Sequence, residues 1–357
     1  MDFDALREIF RQSFLSSSVK VVFLENGEEL WKSVLERLPY VPTNYMLSML
    51  SYQASYMRCF LQELQNFSVV LFDKDTAIGI FPLTLNRKED GGVKLCTNEG
   101  AVYAPLYIAS TPEKIIRRYD LACLAAVDAL RSHLQGQDEG GLLPWQGQIS
   151  FLESELYDQM MIWYRILLER GGVSSLSHEL YVNLSLPFDE IHKGIRRRYR
   201  TLIHKGDKLW DVKVHTAVTH DLFNEFRLLH HRVAGRVTRS LETWNEQEKA
   251  IQRGESFLVT LCDASQELIG GALYAISRDE GTYAVGAYRR DLFEQPVSHV
   301  AHWRAIRYMK ENGLKWYHIG TRFYPSDLCR PTEKELSIAY FKEGFATNMV
   351  FHVFMNQ

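Results

Sequence analysis

Three kinds of signal are missing from this sequence of 357 residues. Its five cysteines lie far apart and include no CxxC pair, which argues against a thiolate zinc site and a disulfide framework. No apolar run approaches the roughly 18 residues that a membrane-spanning helix needs, so we expect no membrane insertion. The first residues lack the basic flank and apolar stretch of a signal peptide, and we therefore expect a cytoplasmic protein.

Several nucleotide and nucleophile motifs are also absent. There is no Walker loop, no G-x-G-x-x-G fingerprint and no G-x-S-x-G elbow, and the Gly-Gly pairs at 91–92, 140–141 and 171–172 are expected in turns. The net charge of −3 and the pI near 6.5 argue against a general nucleic-acid binder. With 46% hydrophobic and 24% charged residues, the chain has the composition of a globular protein with a sizeable core.

One pattern of elements occurs twice in the chain. Residues 67–85 and 256–276 each read as an apolar strand, a polar turn and a second apolar strand. Each half then continues with strand, helix, strand, helix and strand. An antiparallel meander followed by strand–helix alternation predicts an α/β fold, with two domains of mixed, mainly antiparallel sheets flanked by helices.

The boundary between the two halves is predicted near residues 172–190, where GGVSSLS has a flexible composition. We expect ELYVNLSLP, residues 179–187, to close the first sheet. The predicted domains are therefore residues 1–186 and 187–357.

The second half carries a family resemblance in four segments. These are EIHKGIRRRYRTLIHKGDK (190–208), LIGGALYAISRDEGTYAVGAYRRD (268–291), HWRAIRYMKENGLKWYHIG (302–320) and AYFKEGFAT (339–347). Their order resembles the GNAT fold, and two copies in tandem resemble the FemABX-like branch of peptidoglycan aminoacyl-ligases and amino-sugar acyltransferases. The likeness covers about 190–350. In the first half it is architectural only, which implies a degenerate N-terminal copy and a catalytic C-terminal one.

This resemblance implies an N-acyltransferase. The expected reaction moves a formyl or acetyl group to an amino group of a bacterial surface amino sugar, such as a nonulosonic (pseudaminic-type) or nucleotide sugar, in cell-surface polysaccharide biosynthesis. A GNAT-fold formyltransferase branch acting on pseudaminic-type sugars is the nearest precedent. The expected partners are therefore a small amino-sugar acceptor and an acyl donor, with no nucleic acid.

The donor stays open because the family's glycine-rich phosphate loop is replaced here by RRDLFEQPVSH, residues 289–299. Acetyl-CoA and 10-formyltetrahydrofolate are both candidate donors. Two alternatives to the sugar reaction also stay open. One is an aminoacyl-tRNA-dependent peptidoglycan ligase, and the other is a non-catalytic binding module.

The acceptor site is expected in LLHHRVAGRVTRSLETW, residues 228–244, which predicts a helix, a break and a second helix capped by Thr243 or Asn245. In the resemblance this region covers the acceptor, where arginines hold a carboxylate and a tryptophan stacks on a sugar face. A solvated basic loop with a half-buried tryptophan is the alternative. The predicted substrate-binding residues are His231, Arg236, Arg239, Glu242 and Trp244.

The donor site is expected at the end of the strand TYAVGAYRRD, residues 282–291. Gly286 and Ala287 permit close approach of an acyl carbonyl, and Tyr288 is placed to give a proton to the leaving group. Arg289 and Ser298 complete the predicted donor-binding set. An ordinary strand with a glycine bulge is the alternative.

Two histidines, His299 and His302, follow that strand at the start of a helix. Asp291 and Glu294 lie in the preceding loop and no cysteine is near, so we predict no metal. Ser298 reads as the N-cap, which puts His299 at the first helical position, where the helix dipole keeps it neutral and able to accept a proton. The alternative is a capping histidine plus a core histidine.

Two further segments carry weaker signals. Arg196 and Arg200, in the basic run 195–200, share a helical face that suits either a phosphate-bearing partner or, as the preferred interpretation, solvent. The loop 321–335 is rich in aromatic residues and prolines, which is typical of an ordered flap beside a site.

Overall fold

The structure is a computed structural model that describes residues 2–97, 100–135, 143–144 and 146–356. The glycine pair at 140–141 lies outside these residues. The chain forms two compact units. Unit 1 comprises Met1–Tyr40, Met57–Ser177 and Phe351–Gln357, and unit 2 comprises Val41–Tyr56 and His178–Val350.

The first half of the chain contains helices and mostly short strands. They are α1 (Phe3–Ser16), β1 (Lys20–Phe23), α2 (Glu28–Arg37), α3 (Leu47–Arg58), β2 (Glu63–Asn66), β3 (Val69–Asp73), β4 (Thr76–Phe81), β5 (Thr84–Arg87), β6 (Val93–Cys96), β7 (Val102–Tyr103), β8 (Leu106–Tyr107), α4 (Glu113–Leu134), β9 (Gln146–Ser150), α5 (Ser154–Glu169) and β10 (Val173–Asn183).

The second half is richer in long strands. Its elements are α6 (Phe188–Gly194), α7 (Arg197–Leu209), β11 (Asp211–His215), α8 (His220–Ala234), α9 (Leu241–Gln252), β12 (Ser256–Cys262), β13 (Leu268–Ile276), β14 (Glu280–Tyr288), α10 (Val297–Glu311), β15 (Trp316–Arg322), α11 (Glu333–Glu343) and β16 (Asn348–Asn356).

Unit 1 is built around an antiparallel sheet in the order β1-β3-β4-β8. The β3–β4 hairpin is the predicted strand–turn–strand, and its turn places Lys74 at a positive φ of 54°. A second sheet has the order β2-β5-β6, so the predicted strand at 93–98 pairs with β5 instead of extending the hairpin sheet. Strand β9 pairs with β7 and with the last residues of β16.

Helix α4 of unit 1 buries a carboxyl group. Asp120 is 1% exposed, and its Oδ1 accepts a hydrogen bond from Tyr107 Oη at 2.7 Å, while Oδ2 has no partner. Burial raises the pKa of Asp120 well above its ordinary value. The folded state therefore holds this carboxyl in its protonated form.

Replacing Asp120 tests that protonation. An unfolded aspartate has a pKa near 4, so the folded state binds the proton more tightly and stability falls as pH rises above that value. Asp120→Asn removes the titration. We expect the wild type to lose up to about 1.4 kcal/mol of unfolding free energy per pH unit relative to the variant. Urea unfolding at pH 5, 6.5 and 8 measures it, with the exposed Asp158→Asn as control. A pH-independent difference would contradict the assignment.

Unit 2 is built around a sheet in the order β11-β12-β13-β14-β15-β10. All neighbours are antiparallel except β14 and β15, which are parallel. One face packs against α7 and α10 through a core that includes Tyr274, Val300 and Tyr317. The other face packs against α8 and α9 through a smaller core that includes Phe226 and Trp244. The predicted α/β class, with mixed and mainly antiparallel sheets flanked by helices, is confirmed.

The expected partner of the strand at 179–187 was wrong. Residues His178–Asn183 of β10 pair with β15 in unit 2, and residues His352–Asn356 of β16 pair with β9 in unit 1. Hydrophobic patterning shows that a segment is a strand but carries no information on which strand pairs with it.

Candidate functional site

Strands β14 and β15 run side by side over three residue pairs only. The pairing joins Glu280–Thr282 to Trp316–His318, and the remainder of β14 has no ladder with β15. The register between β13 and β14 also shifts, so that Ala284 is an extra residue in β14. The bulge bends β14 locally, and beyond Thr282 the edge of β14 that faces β15 has no ladder with that strand.

The space that opens between β14 and β15 beyond Thr282 and His318 forms a gap in the sheet. Tyr283 and His302 lie on the α10 side of this gap. The two ring centroids are 4.9 Å apart, and His302 Nδ1 is 2.9 Å from Tyr317 Oη. His302 is 2% exposed. Burial, with Lys342 and His299 adding to it, lowers the pKa of His302 to about 3. The imidazole is therefore neutral at pH 7 and is a weak proton acceptor.

Lys342 of α11 reaches into the same gap. Its Nζ is 5.5 Å from the centroid of the Tyr283 ring. A Cβ at Gly320 would overlap Lys342 Nζ, and one at Gly286 would overlap Tyr283 Oη. Gly320 also has a φ of 131°, which L side chains rarely adopt. Each of the two separating strands thus has a glycine against which a side chain of the gap packs. Gly286 of β14 contacts Tyr283, and Gly320 of β15 contacts Lys342.

His299 lies in an aromatic box beside the gap. Its ring centroid is 4.6 Å from that of Tyr199 and 5.1 Å from that of Phe341, and its Nδ1 is buried without a hydrogen-bond partner. Burial and Arg198 lower the pKa of His299 to about 4. It is neutral at pH 7, but the cause is not the helix terminus that the sequence suggested.

The predicted capping role of Ser298 was wrong. Helix α10 begins at Val297 with Pro296 at the N-cap position, so His299 is the third helical residue. The prolyl ring has no side-chain acceptor, and the helix begins without a capping hydrogen bond.

The predicted donor-binding residues of β14 divide between the two faces of the sheet. Gly286 and Tyr288 face α10, whereas Ala287 belongs to the core against α8 and α9. Tyr288 Oη is buried without a hydrogen-bond partner, and burial raises the pKa of Tyr288 well above its ordinary value. Tyr288 is therefore a neutral hydroxyl on the α10 side, and Ala287 is a packing residue.

The loop before α10 uses its own backbone amides. Leu292, Phe293, Gln295 and Val297 each donate to a carbonyl within residues 289–295. Arg289 is paired with Asp291 and Glu267. A pyrophosphate cradle needs free amides and no nearby carboxylates. Four amides of this loop donate to its own carbonyls and Asp291 lies beside Arg289, which makes the loop a poor pyrophosphate cradle.

The opposite side of the gap holds a histidine–glutamate pair that the sequence interpretation missed. Thr282 and His318 pair across β14 and β15, so their side chains share a face. His318 Nε2 is 2.8 Å from Glu179 Oε2, and Thr321 Oγ1 donates to the same carboxylate at 3.0 Å. Glu179 is 5% exposed. No spacing rule joins residues 139 positions apart, because their strands become neighbours only in the fold.

The predicted acceptor segment folds as a helix, a break and a helix. Helix α8 ends at Gly235, whose φ of 70° stops it, and α9 begins after Ser240, whose side chain caps Thr243. The predicted caps, Thr243 and Asn245, therefore lie inside α9. Ser240 caps the helix because its hydroxyl oxygen accepts a hydrogen bond from the backbone N–H of Thr243, three residues later.

Trp244 is the centre of this segment. It is 1% exposed, and its ring contacts those of Phe223, Phe226 and His230. Because its faces are covered, it is not available to stack on a sugar, which corrects that prediction. Arg239 Cζ lies 4.9 Å from the Trp244 ring centroid.

The other predicted acceptor residues fall into two groups. His231 lies beside the tryptophan, with ring centroids 6.2 Å apart, and its Nε2 is buried without a partner. Arg236 and Glu242 are exposed. The structure therefore brings together His231, Arg239 and Trp244.

No metal set or membrane helix emerges from the part of the chain that the structure describes. Within it, no three His, Cys, Asp or Glu side chains are grouped to hold a metal ion. No helix among the same residues is long and apolar enough to cross a membrane.

The neutral state of His302 can be tested through stability. An unfolded histidine has a pKa near 6.5, and the folded value is about 3, so stability is lost as pH falls from 6.5 towards 3. His302→Phe keeps a ring but removes the titration and the bond to Tyr317. We expect the variant to be about 1–3 kcal/mol less stable at pH 7.5.

This deficit should shrink by up to about 1.4 kcal/mol per pH unit below pH 6.5, since only the wild type is destabilised by protonation of His302. Urea unfolding at pH 7.5, 6 and 5 measures it, with the exposed His204→Gln as control. A deficit that stays constant with pH would show that His302 is not held neutral by the fold.

No protein-family model and no curated protein matches this sequence. Solved structures do. FemX aligns with a TM-score of 0.64 at 10% identity, covering 94% of this chain and 96% of FemX. The C-terminal domain of a candidate lysylphosphatidylglycerol synthetase from Agrobacterium fabrum aligns at 0.58 and 10%, covering 93% and 92%. L-PGS from Bacillus licheniformis aligns at 0.54 and 12%, covering 92% and 91%.

These likenesses show the fold. The chain has the tandem GNAT-like architecture that its sequence resembles, over nearly its whole length. None of the three proteins carries a name that points to formyl transfer or to a pseudaminic-type sugar.

Proposed function

We propose that this protein is an N-acyltransferase whose reaction takes place in the gap between β14 and β15 of unit 2. The observation that carries the proposal is the composition of that gap. Lys342 and neutral tyrosines lie on one side, and a histidine held by a buried glutamate lies on the other. An amine attacking an acyl group needs these two things, a stabilised oxyanion and a proton acceptor.

The acyl group enters on the α10 side. The amine nitrogen attacks the acyl carbon, a C–N bond forms, and the bond from carbon to the carrier's oxygen or sulfur breaks. Lys342 stabilises the oxyanion, because a positive charge in a site that excludes water acts strongly on developing negative charge. Tyr288, a neutral hydroxyl, gives the leaving group its proton.

The proton of the amine goes to His318. With Nε2–H donating to Glu179, the lone pair of the neutral ring is on Nδ1, and the carboxylate stabilises the imidazolium that forms. His299 and His302 were the expected acceptors. Their lowered pKa values and aromatic surroundings suit them to packing, so we move the role to His318.

The donor is proposed to be an acyl ester on a phosphate-rich carrier that needs no glycine loop. Helix α7 begins with arginines and has no acidic residue in its first turn, although cations are disfavoured at a helix N-terminus. Arg198 is close enough to lower the pKa of His299, so this basic end borders the gap. An aminoacyl-tRNA meets these requirements, because its 3′ end is an ester on a polyanion.

The transfer of formyl or acetyl to an amino sugar is the second candidate. The observation in its favour is the guanidinium of Arg239, which pairs with no carboxylate among the described residues and suits a sugar acid as acceptor. In this case 10-formyltetrahydrofolate or acetyl-CoA supplies the acyl group.

Product mass distinguishes the donors. The protein is incubated with aminoacyl-tRNA, acetyl-CoA or 10-formyltetrahydrofolate, each with a panel of amino-sugar acids and amino sugars. With aminoacyl-tRNA as donor, we expect the mass of an acceptor to increase by that of one aminoacyl group. A gain of a formyl or acetyl group would favour the second candidate. No gain with any donor would contradict acyl transfer.

Kinetics of variants test the proton acceptor. His318→Gln and Glu179→Gln should each lower kcat/KM, by roughly 10²–10⁴-fold for the histidine, because a general base is lost. Glu179→Gln should in addition move the acidic limb of the pH–rate profile. His220→Gln, which removes a histidine–glutamate pair elsewhere in unit 2, is the matched control. Wild-type rates for His318→Gln from pH 6 to 9 would rule the role out.

A further inference from the structure

Arg239 carries a charge that the described protein leaves without a counter-ion. Its Nη1 donates to Tyr52 Oη at 3.1 Å and approaches Gln247 Oε1 at 3.5 Å, and no carboxylate pairs with it among the described residues. The side chain is only partly exposed. A guanidinium withdrawn from water without an anion is costly, so its retention here indicates that an anion binds.

One edge of that guanidinium has no hydrogen-bond acceptor among the described residues. Both hydrogen bonds of Arg239 use Nη1, whereas Nε and Nη2 have no acceptor among the described residues. Nε–H and Nη2–H point in parallel from the same edge of the planar group, and this fork matches the two oxygens of a carboxylate.

The guanidinium is held in place by aromatic rings. Arg239 Cζ lies 5.9 Å from the ring centroid of Tyr52, 5.8 Å from that of Tyr56 and 4.9 Å from that of Trp244. Tyr52 and Tyr56 are themselves stacked, with centroids 6.2 Å apart. Contacts on this scale fix the orientation of the planar group, and the free fork is therefore preorganised.

The segment that carries Arg239 contains several other unsatisfied polar atoms. Besides Arg239 Nε, the buried atoms without partners in residues 230–244 are His230 Nδ1, His231 Nε2, Thr238 Oγ1 and Trp244 Nε1. Buried polar groups are normally hydrogen-bonded, so such a group of orphans in fifteen residues indicates a polar ligand. The Thr238 hydroxyl and the Trp244 N–H are both able to donate to an acid.

The net charge of the site favours a carboxylate over a phosphate dianion as the ligand. Burial lowers the pKa of His230 to about 4 and lowers that of His231, with Arg239 adding to both, so the two imidazoles are neutral at pH 7. Arg239 then supplies a single positive charge. One fork and one charge complement a monoanionic carboxylate better than a phosphate dianion.

We propose that Arg239, Thr238 and Trp244 form a binding site for a carboxylate on the amine that accepts the acyl group. The acceptor is then an amino acid or an amino-sugar acid, and not a neutral amine. The description of this amine as the acyl acceptor rests on the proposed function, whereas the binding of a carboxylate does not.

Direct binding tests the site without any transfer reaction. The indole N–H signal of Trp244 in a ¹H–¹⁵N spectrum, assigned with Trp244→Phe, reports on the ring that lies against Arg239. The protein is titrated with muramic acid and with glucosamine, two amino sugars that differ by a lactyl carboxylate. We expect muramic acid to shift the signal to saturation and glucosamine to leave it in place. Inorganic phosphate is the third titrant.

Variants separate the fork from its charge. Arg239→Lys keeps the charge and loses the fork, and it should weaken muramic acid binding by about 10- to 100-fold, the value of a charge-assisted bidentate contact. Arg232→Lys makes the same change at an exposed arginine of α8 and should leave binding unchanged. Unchanged binding by Arg239→Lys would overturn the assignment.

The remaining outcomes each decide one question. Equal shifts with both sugars, no shift with muramic acid, or a shift with phosphate alone would overturn the carboxylate site. Binding of muramic acid together with an absence of transfer from every donor would sustain the site and reject the proposed reaction. Transfer to glucosamine as fast as to muramic acid would sustain the reaction and reject the site.

Discussion

The short parallel pairing of β14 and β15 is the constraint on which the chemistry of unit 2 depends. After three residue pairs the strands separate, and side chains fill the space that a ladder would occupy. The extra residue at Ala284 turns Tyr283 and Gly286 towards α10. A Cβ at 286 or 320 would displace Tyr283 Oη or Lys342 Nζ, and the φ of 131° at Gly320 also disfavours an L side chain there. The gap thus results from the pattern of backbone pairing, and side chains occupy it.

Burial controls charge on the two sides of this gap in the same way. On the α10 side it holds His299 and His302 neutral and keeps the hydroxyls of Tyr283 and Tyr288 protonated. On the α8 side it holds His230 and His231 neutral. Lys342 and Arg239 are then the basic side chains whose positions bear on a ligand on the two sides. A few charges in low-dielectric surroundings act more strongly on a ligand than many solvated ones.

Much of the local structure could be predicted from residue patterns. Apolar runs on either side of a polar turn located the β3–β4 and β12–β13 hairpins, and the segment 228–244 predicted the break between α8 and α9. The lack of glycine in residues 289–299 left the acyl donor open, and four amides of that segment donate to carbonyls within it. The cap of α10 was misplaced because Ser298 suits an N-cap by residue type, whereas the helix begins one residue before it.

Residue patterns were enough to predict the elements, the tandem α/β plan and the segments where basic and aromatic residues cluster, because these follow from periodicity and local chemistry. Which strands are neighbours is fixed in the folded chain alone. It placed β10 beside β15 and so brought Glu179 to His318, across 139 residues. It also covered Trp244 and left the fork of Arg239 unpaired. Such contacts depend on strand register and helix packing, and these are set by surfaces distant in the chain, which no local pattern records.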